Sequence, residues 1–258
     1  MWGKIVFGLR IAAASWVGLV ALVAALQAVG LVPQLPKVEP FAWVFSLIII
    51  GIDNAGTIVS RKYHASKKRR DSEIEKVVMS LLIGCVDGKP SLRFEHLGAS
   101  VYVRAWRQPR TGPTRLKRIK RFRPAGLPQQ SGIRWTSLTG AVGECWRTKR
   151  VVTKDWQKVA ERYADTAIDD AAFQRISADT RAGFTREEFV AIVGSYSEVV
   201  AVPIWHPGKE STMLGVLTVD RAFRGQDATF RPTLATTRRR AEAAAAVLAH
   251  TIKPTPGE

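Results

Sequence analysis

Glu198-Val199-Val200-Ala201-Val202-Pro203-Ile204-Trp205 and Met213-Leu214-Gly215-Val216-Leu217-Thr218-Val219 are the two stretches that decide the fold. Both are of strand length and rich in valine. The loop between them, His206-Pro207-Gly208-Lys209-Glu210-Ser211, is polar and holds a Pro-Gly pair, so the two runs predict a β-hairpin. Upstream, Thr185 with Glu188 three residues on predicts a capping box that opens a helix to Val193. Trp156–Asp179 also reads as helical. Ala99–Trp106 alternates as a strand, with Val101, Val103 and Ala105 on one side and Tyr102, Arg104 and Trp106 on the other. In Arg115–Arg123 the apolar residues Leu116, Ile119 and Phe122 recur every three residues, which fits neither template, but Pro113 and Pro124 confine the segment to strand length. Asp71-Ser72-Glu73 supplies a cap and first-turn acids for a helix carrying Ile74, Val77, Val78, Leu81 and Leu82, which should stop near Gly88-Lys89-Pro90. An alanine-rich helix is expected from about Thr233 to Ile252, before Pro254. The order is helix, strands, a helical middle, a strand hairpin and a closing helix, an α+β domain over residues 72–253.

Ahead of this domain the composition changes. Ile11–Val32 is twenty-two residues without a charge. As a helix it would span roughly 33 Å, against a bilayer core of about 30 Å. Pro33 and Pro36 end it, and a second apolar run goes from Phe41 to Ile52 and resumes after Asp53-Asn54 as far as Val59. Arg61–Arg70 then carries six basic and no acidic residues: Arg61, Lys62, Lys67, Lys68, Arg69 and Arg70. Lys/Arg clusters beside membrane helices stay cytoplasmic, so residues 1–62 predict a transmembrane helical hairpin with both termini inside, and residues 63–71 a basic juxtamembrane linker. The expected location is the inner (plasma) membrane. A cleaved signal peptide over residues 1–29 is the alternative, and it leaves residue 61 onward on the same side. Asp53 reads either as an intramembrane polar group that answers to the soluble domain or as a residue of the inner headgroup region. Small residues four apart, Ala14/Gly18, Ala21/Ala25 and Gly51/Ala55, permit close helix contact.

The whole chain of 258 residues has a formal charge of +17, unevenly placed. Residues 1–70 and 71–126 each carry +7, while residues 127–258 carry only +3. The excess follows the membrane-proximal half and no nucleic-acid motif accompanies it, so the expected partner is an anionic inner leaflet rather than nucleic acid. Arg115–Arg123 reads equally as a solvated strand or as a contact with that leaflet. Two cysteines, Cys85 and Cys145, exclude a disulfide scaffold and read as core residues. The four histidines lack metal-ligand spacing, and no phosphate loop or nucleophile elbow is present in the sequence. An enzyme is not expected, and neither is a metal or other cofactor.

Leu138-Thr139-Gly140-Ala141-Val142-Gly143-Glu144-Cys145-Trp146-Arg147-Thr148-Lys149-Arg150-Val151-Val152 resembles the "glycine-x-x-glycine, helix, basic-Val-Val" segment of GAF domains. Val199–Ile204 and Leu214–Asp220 resemble that family's last two strands, and the ordered match covers roughly residues 72–253. The resemblance implies an antiparallel sheet with helices on its faces. It also implies a pocket on one sheet face for a small molecule or nucleotide, or else a role in dimerisation alone. The family's cyclic-nucleotide residue set is not evident, and the cysteine cluster of its sulfoxide-reducing members is missing. The domain is rich in tryptophan, and aromatic walls with a few polar groups suit a flat ligand. Trp135, Trp156, Tyr163 and Tyr196 are the candidate lining residues and Arg134 the candidate anion contact, against ordinary core packing for the same rings. The functional expectation is a membrane-anchored sensor that forms a homo-oligomer and signals back into its hairpin, since few residues follow Ile252. A ligand-gated two-helix membrane effector and a scaffold that binds no ligand are the alternatives.

Overall fold

The computed structural model describes the backbone of residues 2–31, 33, 39–87, 89, 92–129, 131–225 and 233–252, which divide into two compact units, Met1–Arg69 and Arg70–Glu258. In the first unit α1 covers Trp2–Ala28. α2, Glu39–Val86, is a single helix of 48 residues. The juxtamembrane segment 63–71 is helical, and the helix start read at Asp71-Ser72-Glu73 lies inside α2. The physical reason is compositional. Between Gly56 and Gly84 there is neither glycine nor proline, and Lys, Arg and Glu are good helix formers. Among the described residues no helix is long and apolar enough to cross a membrane. The side chains of residues 2–14 and 49–59, which include the first four residues of Ile11–Val32 and the last part of the second apolar run, lie outside the described residues, Asp53 among them.

The second unit is α+β. Its strands are β1 (Leu97–Arg104), β2 (Leu116–Phe122), β3 (Val152–Asp155), β4 (Tyr196–His206) and β5 (Lys209–Ala222). They form one sheet in the order β2-β1-β5-β4-β3, every pair antiparallel. The hairpin read from Glu198–Val219 is β4 and β5, longer at both ends than its apolar runs. Arg115–Arg123 resolves as the edge strand β2, and a register shift in its pairing with β1 between Val101 and Tyr102 accounts for the three-residue apolar spacing.

Helices cover both sheet faces, so β4 is apolar at both parities. Val200, Val202 and Ile204 point to one side, where they pack with Leu97, Ala99, Val101, Leu217 and Val219 of the sheet. Ile74, Val78, Leu81, Leu82 and Cys85 of α2 cover them, with Ala241, Ala245 and Leu248 of α8 (Arg238–Thr251). Ala201 faces the other way, with Tyr102, Leu116 and Val216, against α3 (Gly140–Thr148). Beyond α3 lies a helical layer, α4 (Gln157–Tyr163), α5 (Asp170–Arg175), α6 (Ala178–Arg181) and α7 (Arg186–Val193). Its core is Trp156, Ile168, Phe173, Phe184 and Phe189. The helical reading of Trp156–Asp179 thus breaks into three short pieces. The Thr185/Glu188 capping box is formed and starts α7.

Candidate ligand-binding site

On the α3 side, β1, β4 and β5 and the starts of α3 and α4 enclose a cavity of about 40 Å³. Strand alternation supplies its floor: Ser100 and Tyr102 from β1, Thr218 and Asp220 from β5, Tyr196 and Val199 from β4. Gly140 and Ala141 of α3 form part of the wall. Gly140 has φ +61°, which glycine adopts without strain, and a Cβ there would stand 2.9 Å from Phe184. At Gly143 a Cβ would come within 2.5 Å of the Thr136 carbonyl oxygen. The two glycines therefore let α3 close onto the segment carrying Trp135.

The roof is aromatic. Tyr102 and Trp135 meet edge to face with centroids 5.2 Å apart, Trp135 meets Phe184 at 6.1 Å, and Phe184 meets Trp156 at 5.9 Å. Within this shell the polar groups are few. The indole Nε1–H of Trp135 is buried with no acceptor among the described residues. Burial pushes the Tyr102 hydroxyl up to about 12, so it stays protonated at neutral pH. Asp220 forms an ion pair with Arg123, whose side chain is 2% exposed. The guanidinium also lies 5.1 Å from the Tyr196 ring centroid; burial works against its charge and Tyr196 supports it.

Trp135, Trp156 and Tyr196 line the cavity; Tyr163 and Arg134 do not. Tyr163 packs on Phe189 within the helical layer, centroids 6.0 Å apart. Arg134 is exposed, and its backbone N–H donates to Glu188 Oε1. A position next to a half-buried tryptophan that lines the cavity places Arg134 one step out of phase, on the solvent side. The charged group that reaches this site is Arg123, which the sequence hides inside a basic run. Its signal is Asp220: a carboxylate at the end of an apolar strand, on the same parity as Thr218, requires a partner. The rest of the run is partly consumed as well. Lys120 pairs with Glu75, and Arg121 donates to the Pro128 carbonyl.

Both cysteines are buried. Cys145 packs with Val142 and Val152, and burial, reinforced by Glu144, pushes its thiol up to about 12. Glu198, at the start of β4, is fully buried. Its Oε1 accepts from the backbone N–H of Leu234 at 2.8 Å and Ala235 at 3.3 Å, and its Oε2 from Thr233 at 3.0 Å. It caps the 3₁₀ turn Leu234–Thr237 that leads into α8.

No family model matches the chain, and no curated protein matches it. Among solved structures, the chain is similar to the GAF domain of a phosphoenolpyruvate-protein phosphotransferase from Acinetobacter, at 16% identity over 74% of this chain and 92% of that one, TM-score 0.36. It is similar to the GAF domain of a two-component sensor histidine kinase from Bacillus halodurans, at 15% identity over 67% and 91%, TM-score 0.35. It is also similar to a type II free methionine-R-sulfoxide reductase from Thermoplasma acidophilum, at 11% identity over 70% and 94%, TM-score 0.36.

Proposed function

We propose that the chain is a GAF-type sensor, anchored at the inner membrane by a helical hairpin, that binds a small ligand in the cavity and transmits its occupancy to the hairpin. The observation that carries this reading is the buried, unpartnered N–H of Trp135, a residue that lines the aromatic cavity. A buried donor without an acceptor costs about 1–3 kcal/mol. A ligand or water oxygen in the cavity recovers it. The present volume of about 40 Å³ holds one water or little more, so a larger ligand enters only if the Trp135 segment moves outward. That movement is a natural two-state element: a ligand that binds the open form more tightly shifts the population toward it. The small volume equally favours a second reading, a scaffold whose pocket is filled by its own rings.

The site supports binding rather than catalysis. Its carboxylate is neutralised by Arg123, and the Tyr102 hydroxyl and the nearby Cys145 thiol are held protonated. Homodimer formation is supported by Met79 and Ile83 on α2 and Val247 on α8, exposed apolar residues on helical faces. Membrane anchoring is supported by the uncharged run Ile11–Val32, which α1 carries as far as Ala28, and by the Arg61–Arg70 cluster. Each basic residue held near an anionic leaflet contributes about 1 kcal/mol.

Native mass spectrometry of the full chain released from nanodiscs tests the sensor. A retained small mass that disappears in Trp135→Phe supports it, and an unliganded spectrum with an unchanged melting temperature in Trp135→Phe leaves only the scaffold. A membrane-potential dye tests the effector alternative: depolarisation on expression, lost in Asp53→Asn, would replace the sensor reading.

A further inference from the structure

β3 has four residues and pairs with β4 only as far as Ala201, so among the described residues the stretch Val202–His206 of β4 has no strand on that side. An open groove of about 720 Å³ runs there, between α8 and the turn Lys149–Val151. We infer that this groove is a second binding site, for a phosphate monoester carried on a flat apolar group. It shares no lining residue with the aromatic cavity.

Size and charge select the ligand. The volume falls in the range of about 300–1,000 Å³ typical of small-molecule sites. Lys149, Arg150 and Arg238 bring three positive charges to the lining, and Glu242 brings one negative, tied to Arg238 at 2.9 Å. The excess of two, before His206 and His250 are counted, matches a phosphate monoester, which carries about −1.5 to −2 at neutral pH. Guanidinium forks suit phosphate oxygens in particular. Trp205, half-buried between Pro203 and Pro207 in sequence, gives the groove an apolar platform for a flat group. His206 has its Nδ1 unpartnered among the described residues, a hydrogen-bonding group still to be satisfied. An added β-strand is the other occupant an open edge invites, but Pro203 has no amide hydrogen to give it. The phosphate can come from a soluble ligand or from a lipid headgroup.

Calorimetric titration of the full chain in detergent with adenosine monophosphate, adenosine and inorganic phosphate tests the site. The expected result is binding of the monophosphate, competed by inorganic phosphate and at least tenfold weaker for adenosine. The double substitution Arg150→Gln with Arg238→Gln removes the positive excess at two exposed positions and should weaken the monophosphate at least tenfold. Trp135→Phe, in the other cavity, should leave it unchanged. Displacement of the monophosphate by phosphatidic acid vesicles in phosphatidylcholine assigns the phosphate to a lipid; no displacement assigns it to a soluble ligand. Equal affinity for adenosine and its monophosphate, indifference to the double substitution, or loss of binding in Trp135→Phe alone overturns the inference.

Discussion

Arg123 follows β2 and reaches Asp220 of β5 across the intervening strand β1. Gly98 lies directly opposite Asp220 in the β1–β5 register, and a Cβ at Gly98 would come within 2.6 Å of the Arg123 guanidinium carbon. The missing side chain is what lets an arginine lie over the sheet and neutralise a carboxylate in the cavity floor. Removing one partner leaves the other charge buried, so Arg123→Leu or Asp220→Leu should each cost about 3–5 kcal/mol, and the double substitution considerably less than the sum. Gly98→Ala should cost about 1–3 kcal/mol by overpacking, and most of that loss should vanish in the Arg123→Leu background. Urea unfolding of the four-way cycle checks both. Cys145, with its thiol pushed up to about 12, and Cys85, buried with its thiol also raised by burial, should resist iodoacetamide in the native state and react only on unfolding. Labelling of native protein at neutral pH would contradict this. None of the Arg123 arrangement is legible from residues 115–123, because a run of six basic residues looks the same whether its side chains are solvated or folded inward. Only strand order brings Arg123 to Asp220, across ninety-seven positions of sequence.

At the scale of elements, Glu198 fastens α8 to the sheet by accepting three backbone N–H groups of the turn at Leu234–Thr237. Burial pushes its carboxyl above the usual range, against those hydrogen bonds. A carboxyl with a raised folded-state value holds a proton that the unfolded chain releases. Its contribution to stability is therefore complete below the unfolded value, about 4.3, and is lost as pH rises through the folded one. Urea midpoints of the wild type should fall with rising pH across that window, and Glu198→Gln should remove that part of the slope. The amide accepts with only one oxygen, so the same substitution should also cost about 1–3 kcal/mol. A slope unchanged in Glu198→Gln would assign the pH dependence to another group. Elements marked by local chemistry are where sequence reading was accurate: the capping box of α7 and the end of α2 near Val86. The helix start at Asp71-Ser72-Glu73 was not, since α2 runs through it and capping residues alone do not interrupt a helix that lacks proline and glycine.

For the whole molecule, the net charge of +17 divides into parts with different fates. Arg61–Arg70 sits within α2, Arg123 is neutralised internally, Lys120 pairs with Glu75, and Lys149, Arg150 and Arg238 rim the groove. If the hairpin spans the inner membrane, a reporter active only in the cytoplasm should function when fused after residue 258. Replacing Arg61, Lys62, Lys67, Lys68, Arg69 and Arg70 by glutamine should reduce the fraction correctly oriented. A fully active reporter in that variant would show that these residues do not set orientation.

What the sequence determined by itself is local: which segments are strands or helices, where the tight turns fall, and that a long uncharged run precedes a basic one. Those follow from period, capping and turn chemistry, each contained within a few residues. The tertiary structure decided which side chains share a space. It placed Trp135, Trp156 and Tyr196 around one cavity, left Tyr163 and Arg134 outside it, drew Arg123 in through Gly98, and opened a groove where β3 stops short of β4. The physical reason is that sheet order and register are fixed by packing both faces at once, a constraint that no single segment carries.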